Sequence, residues 1–268
     1  MKNRAIVFLF AFVAMVAMAK DIPQESGVFV RKMFSQDKSI DSIRNVVVIN
    51  SSPLSEKNWR IDTVKVSIKT LKGDVKKFKM NIFTNGVYFT SMMFNIDGSR
   101  VEQNVKRDMK GVYDEASLVF KSSYEKQKKI VIFSDPQCPN CIDTVATIIK
   151  NIIADGRSSI YYYSLPLEKI HSNSKNISMV LATSFLLHPS ERASTLIKLY
   201  SSREFLSPLT YSLDAIIEKF NSIVGEDASV TKSDVLKFGK KELNREVEIS
   251  DKLSVVGTPT VFVDGLMQ

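Results

Sequence analysis

The chain has 268 residues, of which 44% are hydrophobic and 25% are charged, and its formal net charge is +8. This length is enough for one large or two modest domains with a packed core. The basic residues are scattered and are not grouped with aromatic residues on one face, so the composition predicts a mildly basic, solvated surface and not a nucleic-acid-binding protein.

Residues 1–19 have the organisation of a secretory signal peptide. Two basic residues and an apolar run over 5–16 precede an A-x-A cleavage site at 17–19. The apolar run is shorter than the ~20 residues that a membrane-spanning helix needs, and a retained N-terminal anchor is the alternative interpretation. Export predicts an oxidising compartment, the bacterial periplasm, for the mature protein.

Residues 20–107 are predicted to form a small, strand-rich α+β domain. Apolar and polar residues alternate over 64–71, which is the periodicity of a strand. The Asn-Gly pair at 85–86 is typical of a hairpin turn, and the Asp-Gly pair at 97–98 predicts another. This segment contains no set of residues that would form a catalytic site of its own.

Residues 108–128 connect this domain to the rest of the chain. The apolar residues over 115–126 fall near helical spacing. We therefore predict a helical linker, with the alternative that this helix is the first element of the following domain.

The pattern over 129–268 predicts alternating strands and helices. A strand at 130–133 is followed by a helix over 142–154 and a further strand at 160–165, which indicates a parallel strand–helix–strand unit. Residues 172–250 have helical periodicity almost throughout. They predict a helical insertion before a final apolar strand.

Cys138 and Cys141 are the only cysteines in the chain, with Pro139 and Asn140 between them. Because two intervening residues let a strand-to-helix turn bring the sulfurs within bonding distance, the pair predicts a redox-active disulfide. A cysteine that opens a helix faces unpaired N–H groups and the positive end of the helix dipole, which favours the thiolate of Cys138. Cys141 lies one turn further into the helix and is the predicted resolving thiol.

A second motif, Gly257-Thr258-Pro259, precedes the final apolar strand. A thiol pair at the end of one strand and a Thr-Pro at the start of another is the layout of a thioredoxin-type redox site. The two motifs lie far apart in sequence, so their joint occurrence is much less expected by chance than either one alone.

Two other interpretations of the cysteines carry less weight. A zinc site needs two further Cys or His ligands, and the chain contains only His171 and His188, in loop-like segments. A structural disulfide that closes so small a ring would restrain little chain entropy. We therefore expect no metal and no cofactor other than the disulfide Cys138–Cys141.

The segment 133–141, Phe-Ser-Asp-Pro-Gln-Cys-Pro-Asn-Cys, resembles the active-site segment of the bacterial periplasmic disulfide isomerases, the DsbC/DsbG-like proteins. Asp135, three residues before the first cysteine, belongs to that pattern. Residues 256–260 resemble the cis-proline loop of these proteins, and residues 86–89 resemble the hairpin of their N-terminal dimerisation domain. The resemblance covers most of the mature chain in the same domain order.

This resemblance implies an α/β thioredoxin-like fold with a helical insertion, preceded by a small α+β dimerisation domain, and a homodimer. It also implies isomerase, oxidoreductase and chaperone activity toward unfolded or misoxidised exported proteins, with a membrane thiol reductant or oxidant as the redox partner. Carried over by position, the roles are the nucleophile Cys138, the resolving thiol Cys141, the substrate-backbone contacts Thr258 and Pro259, and the supporting residues Asp135, Pro139, Asn140 and Gly257.

Two features depart from this family. The dipeptide Pro139-Asn140 differs from the one most familiar in the isomerases, and this dipeptide tunes the reduction potential. A thioredoxin core continues after its proline-led strand with a further strand and a final helix, whereas only three residues follow Asp264-Gly265 here, so we expect a truncated carboxyl terminus.

The direction of the reaction stays open at this point. No acidic residue lies in the strand at 130–133, so the sequence identifies no buried proton acceptor beside the thiols. The N-terminal domain favours an isomerase, because a simple oxidase does not need to dimerise. The alternatives are a dithiol oxidase that introduces disulfides and a non-enzymatic holdase that clamps unfolded chains.

Overall fold

A computed structural model describes residues 24–206 and 209–268. The predicted signal peptide lies outside these residues. Within them, no helix combines the length and the apolar character that crossing a membrane would require. The described chain contains one four-stranded sheet and one five-stranded sheet.

The N-terminal unit is an antiparallel sheet with one helix packed on it. Its elements are helix α1 (Glu25–Ser35) and strands β1 (Ile40–Pro53), β2 (Arg60–Thr70), β3 (Val75–Thr84) and β4 (Phe89–Thr90). The strands pair in sequence order. Alternate apolar residues of the strands meet the helix in a core made of Val30, Val46, Val48, Val64, Val66, Ile68 and Ile82.

Both turns predicted in this unit are confirmed. Thr84 pairs with Phe89 across the Asn-Gly turn at 85–86, where the glycine has a φ of +87° that favours this residue type. At 97–98 the glycine N–H donates to the carbonyl of Asn95. The Asn-Gly and Asp-Gly pairs are therefore sufficient by themselves to predict the two turns.

The C-terminal unit alternates strands and helices. Its elements are β5 (Leu118–Phe120), β6 (Lys128–Ser134), α2 (Pro139–Asp155), β7 (Ser158–Ser164), α3 (Ser174–Leu187), α4 (Arg192–Ser201), α5 (Leu213–Val224), α6 (Lys232–Asp234), α7 (Lys240–Lys252), β8 (Thr260–Val263) and β9 (Leu266–Met267). The sheet order is β5-β7-β6-β8-β9. Strands β6 and β7 are parallel, and the other pairs are antiparallel.

This topology is the thioredoxin-like arrangement. A parallel β6–α2–β7 unit is followed by helices and then by the antiparallel β8–β9 pair, with β8 placed beside β6. The predicted fold class, α/β thioredoxin-like with a helical insertion, is confirmed. The insertion lies between β7 and β8 and contains helices α3 to α7, with a π-helical turn at Val235–Gly239 before α7.

Strand β6 is apolar on both sides because both faces of its sheet are covered. Ile130 and Ile132 belong to the core shared with α2 and the insertion. Val131 and Phe133 belong to the core on the opposite face. This burial explains the uninterrupted apolar run that precedes the cysteines.

The prediction of a helical linker over 108–128 is wrong. The segment contains turns and then strand β5, which pairs antiparallel with β7. A register shift within β5 lets Leu118 pack into the core on one sheet face while Val119 and Phe120 pack into the core on the other. A helix would present only one side to the protein, so the strand buries apolar area that a helix would leave exposed.

Side chains of the N-terminal sheet are tied to the end of α7. Lys79 Nζ lies 3.0 Å from Asp251 Oδ1, and Lys65 also pairs with this carboxylate. Asn50 Nδ2 donates to the Lys252 carbonyl at 3.0 Å. These contacts hold the N-terminal sheet next to the segment that leads from α7 to the Thr-Pro loop.

Candidate redox site

Cys138 is the N-cap residue of helix α2, where β6 has turned into the helix. Its backbone is extended, with φ −76° and ψ 123°, and its carbonyl accepts from the N–H groups of Cys141 at 3.0 Å and Ile142 at 3.1 Å. Pro139 occupies the first helical position, where its missing N–H leaves no bond unmade. The strand–turn–helix placement predicted for the cysteines is confirmed.

The Thr-Pro loop lies against this turn. Cys138 Sγ is 3.7 Å from the carbonyl oxygen of Thr258, and the bond between Thr258 and Pro259 is cis, in agreement with the sequence prediction. The Gly257 carbonyl accepts from the hydroxyl of Thr260 at 2.8 Å, which ties the loop to the start of β8. The two motifs that are distant in sequence therefore form one site.

The two thiols have different surroundings. Both are free in the structure; Cys138 is 6% exposed and Cys141 is 0% exposed. Burial raises the pKa of Cys141 to about 12, and the Asp135 backbone and the hydroxyls of Ser134 and Thr258 only partly oppose this shift. Cys141 is therefore protonated at neutral pH, and Cys138 is the thiol that an incoming disulfide can reach.

Asp135 joins the cysteine turn to the segment that follows β7. Its carboxylate is fully buried, with Oδ1 accepting from Gln137 N and Oδ2 from Leu167 N, both at 2.8 Å. His171 Nδ1 lies 2.8 Å from Oδ2, and the Asp135 carbonyl accepts from Cys138 N at 3.0 Å. The predicted supporting residue thus fixes the backbone immediately before the nucleophile.

His171 is a site residue that sequence reasoning considered only as a zinc ligand. Its ring nitrogen must carry the proton to bond a carboxylate, so Asp135 orients the imidazole. A second bridge runs in parallel, since Gln137 Oε1 accepts from Asn173 N at 2.8 Å. One feature of the sequence pointed to such a partner: Asp135 directly follows a buried strand. A buried carboxylate requires a polar partner from elsewhere in the chain.

An open pocket of about 440 Å³ lies beside Pro139. Its other walls come from Gln137, from residues 168–172 and from Leu206. Pro139 and Asn140 are exposed in the first turn of α2. In the described ranges, no group of three or more His, Cys, Asp or Glu side chains is placed to hold a metal ion.

Helix α7 carries a buried acidic residue, Glu246. The strand before the thiols contains no acidic residue. Glu246 is 3% exposed, and its Oε2 accepts from Ser164 N at 2.7 Å, at the end of β7. Burial raises its pKa to about 7, and the hydrogen bonds of Ser164 and the charge of Arg245 only partly oppose this shift. No sequence motif marks this residue.

No protein-family model matches the chain, and no curated protein matches it. Solved structures are similar to the chain over a little more than half of its length. BdbD from Bacillus subtilis is 13% identical, with a TM-score of 0.46, over 61% of this chain and 86% of BdbD.

Two further structures are similar to a comparable extent. The catalytic domain of ScsC from Proteus mirabilis is 18% identical, with a TM-score of 0.44, over 58% of this chain and 82% of that domain. A periplasmic thioredoxin-like protein from Salmonella enterica serovar Typhimurium is 18% identical, with a TM-score of 0.44, over 56% of this chain and 79% of that protein.

Proposed function

We propose that this protein is a periplasmic thiol–disulfide oxidoreductase that isomerises the disulfides of exported proteins. One observation carries the proposal. The sulfur of Cys138 lies at the start of a helix, 3.7 Å from the Thr258 carbonyl, with a second thiol buried one turn further in. This arrangement combines a reachable nucleophile, a resolving thiol and a backbone edge for the substrate.

The reaction follows from thiol–disulfide exchange. The Cys138 thiolate attacks one sulfur of a substrate disulfide, forms a mixed disulfide and releases the other substrate sulfur as a thiolate. If that thiolate attacks another bond of the substrate, the outcome is isomerisation. If Cys141 attacks Cys138 instead, the substrate leaves reduced and the Cys138–Cys141 disulfide forms.

The Thr258 backbone supplies a place for the polypeptide around the substrate disulfide. An extended chain pairs with an exposed backbone edge through main-chain hydrogen bonds, which do not depend on side-chain identity. The cysteine turn also contributes Gln137 and Pro139 to the wall of an open pocket. Such a site suits substrates that are unfolded and differ in sequence.

Refolding of a scrambled multi-disulfide protein, together with the redox state of the cysteine pair in cells, tests the proposal. We expect recovery of native disulfides and a mainly reduced pair, maintained by a membrane thiol reductant. A mainly oxidised pair would indicate the alternative, a dithiol oxidase served by a membrane oxidant. If the wild-type protein does not isomerise disulfides, and a variant that lacks both cysteines still suppresses aggregation, the protein is a holdase.

The variant Cys141→Ala is expected to accumulate mixed disulfides. Cys138 then attacks substrates normally, but no buried thiol is present to displace them. Intact-mass measurement after incubation with oxidised glutathione should show one adduct per chain, and wild type should show almost none. The double variant Cys138→Ala, Cys141→Ala is the control, and an adduct on it, or none on Cys141→Ala, would contradict the assignment.

We further propose that residues 20–107 mediate a homodimer. Large apolar side chains are exposed along 87–96, next to the two-residue edge strand β4; they are Val87, Tyr88, Met92, Phe94 and Ile96. Several exposed large apolar side chains within one short segment favour an interaction surface there. Light scattering should give about twice the mass of the mature chain, which is 30.2 kDa minus the mass of the signal peptide.

Phe94→Glu should shift this equilibrium toward the monomer, because a charge in an apolar interface is left unpaired. Leu71→Glu is the matched control, since Leu71 is 68% exposed, against 54% for Phe94, and lies in the turn between β2 and β3, at the end of β3 away from β4. A wild-type monomer would refute the dimer and favour the oxidase.

A further inference from the structure

The four-stranded sheet of the N-terminal unit has one face that is polar near its middle. The opposite face carries the apolar residues that pack with α1. On the polar face, Lys65 of β2 is opposite Lys79 of β3, and Thr63 is opposite Asn81. Thr63 is fully buried, and its hydroxyl donates to Asn81 Oδ1 at 2.8 Å. Because this face is buried at Thr63, another part of the chain covers it.

The covering part is the end of α7 and the turn that follows it. Lys79 Nζ donates to Ser250 Oγ at 3.0 Å and to Asp251 Oδ1 at 3.0 Å. Asn50 Nδ2, from β1, donates to Ser254 Oγ at 2.7 Å. These bonds join residues that are 171 to 204 positions apart, so they form only when the two units pack together.

Ser254 has a backbone conformation that depends on its surroundings. Its φ is +60°, in the left-handed region that residues other than glycine seldom adopt. The residue is 1% exposed. Asn50 Nδ2 bonds to its hydroxyl, and Asn81 Nδ2 lies 3.5 Å from its carbonyl oxygen. The N-terminal sheet therefore stabilises a turn that is unfavourable for serine by itself.

Only three residues separate this turn from Thr258. Val255 is 1% exposed and belongs to a buried core of the C-terminal unit. The next two residues have few contacts: Val256 is 38% exposed, and no atom outside the adjoining residues lies within 4 Å of the position that a Cβ on Gly257 would occupy. The position of Thr258 therefore depends strongly on where Ser254 and Val255 are held.

We propose that Asn50 and Lys79 of the N-terminal sheet are positioning residues for the redox site. Through Ser254 and Asp251 they hold the backbone of Thr258 in the arrangement that pairs with a substrate polypeptide. The inference rests on the proposed function, and it gives the N-terminal unit a role within one chain that is separate from the proposed dimer. Both side chains act through the Thr-Pro loop and take no part in the exchange between sulfurs.

A polypeptide and a small disulfide place different demands on this loop. A polypeptide is held by main-chain hydrogen bonds to the Thr258 edge, whereas a small aromatic disulfide needs only access to the sulfur of Cys138. If the loop adopts other conformations, the apparent affinity for a polypeptide falls with the fraction of molecules that remain competent to bind. The reaction with a small disulfide is then largely unaffected.

Asn50→Ala in the full-length mature protein removes the donor to the Ser254 hydroxyl. The substrate is a fluorogenic peptide closed by one disulfide, and reduced glutathione regenerates the thiols. We expect KM for the peptide to rise about tenfold and kcat to change less than about twofold. The rate constant for a chromogenic aromatic disulfide should also change less than about twofold. Lys79→Met removes the ammonium group and should give the same result.

Asn45→Ala and Lys77→Met are the matched controls. Asn45 is exposed on β1, and Lys77 is exposed on β3, two residues before Lys79. These substitutions remove the same chemical groups from the same strands at exposed positions. Both should match wild type with the peptide and with the aromatic disulfide.

Hydrogen exchange tests the physical cause of the change in KM. Ser254 N donates to the Asp251 carbonyl at 3.1 Å, and Val255 N donates to the Ser250 carbonyl at 2.9 Å. These two amides should exchange about tenfold faster in Asn50→Ala, whereas the amides of β6 should keep their wild-type rates.

An unchanged KM for the peptide in Asn50→Ala would overturn the proposal, as would equal losses with both substrates in a folded variant. Asp251→Asn decides the question if neither sheet variant folds. Asp251 is 22% exposed and pairs with two lysines of the sheet, so this variant should also raise KM, and an unchanged KM would overturn the proposal. A wild-type protein that reacts with neither disulfide is a different result, because it refutes the proposed function itself.

Discussion

Replacement of Cys138 by alanine is expected to reduce disulfide exchange to the uncatalysed rate. Cys138 is the more exposed of the two thiols, at 6% against 0%, and Cys141 cannot replace it because the Cys141 thiolate is scarce at neutral pH. Recovery of native disulfides in a scrambled substrate, and reduction of an accessible disulfide by the protein, are the two measurements. Both should fall to the level of buffer.

The fold should tolerate this change. The side chain of Cys138 caps no helical N–H, so its removal is expected to lower the free energy of unfolding by only about 1 kcal/mol. Urea unfolding of Cys138→Ala therefore separates lost chemistry from lost structure. Activity that survives in a folded variant would show that exchange does not depend on this thiol.

Replacement of Asp135 by alanine is expected to have the largest effect on stability. It leaves Gln137 N, Leu167 N and His171 Nδ1 without their buried acceptor, and each of these bonds is 2.8 Å long. An uncompensated buried donor costs about 1–3 kcal/mol, so we expect a loss of about 3–5 kcal/mol in the free energy of unfolding. Urea unfolding measures it directly.

Two further variants define the origin of that loss. Asp135→Asn retains one oxygen acceptor and should lose about half as much. Asp155→Ala removes an exposed carboxylate that pairs with Arg157 at 3.7 Å, and it should change the free energy of unfolding by less than about 0.5 kcal/mol. A loss below about 1 kcal/mol in Asp135→Ala would contradict the role assigned to this carboxylate.

The sequence by itself determined the parts of this protein that depend on local signals. The apolar run at 130–133, the C-x-x-C pair and the Gly-Thr-Pro motif each predict a backbone conformation from a few neighbouring residues. Helix α5 occupies 213–224, within the segment 172–250 for which the apolar periodicity predicts helices. Two such motifs were also sufficient to predict that Cys138 and Thr258 meet, because strand–turn–helix and loop–strand units combine in few ways.

The tertiary structure alone decided the rest. Residues 118–120 have helical spacing, yet the free edge of β7 and the two cores beside it make a strand more favourable. His171 is 36 positions from its partner Asp135, and Glu246 is 82 positions from Ser164. The burial that makes these polar side chains part of the site comes from elements distant in sequence, so no local pattern of residues specifies it.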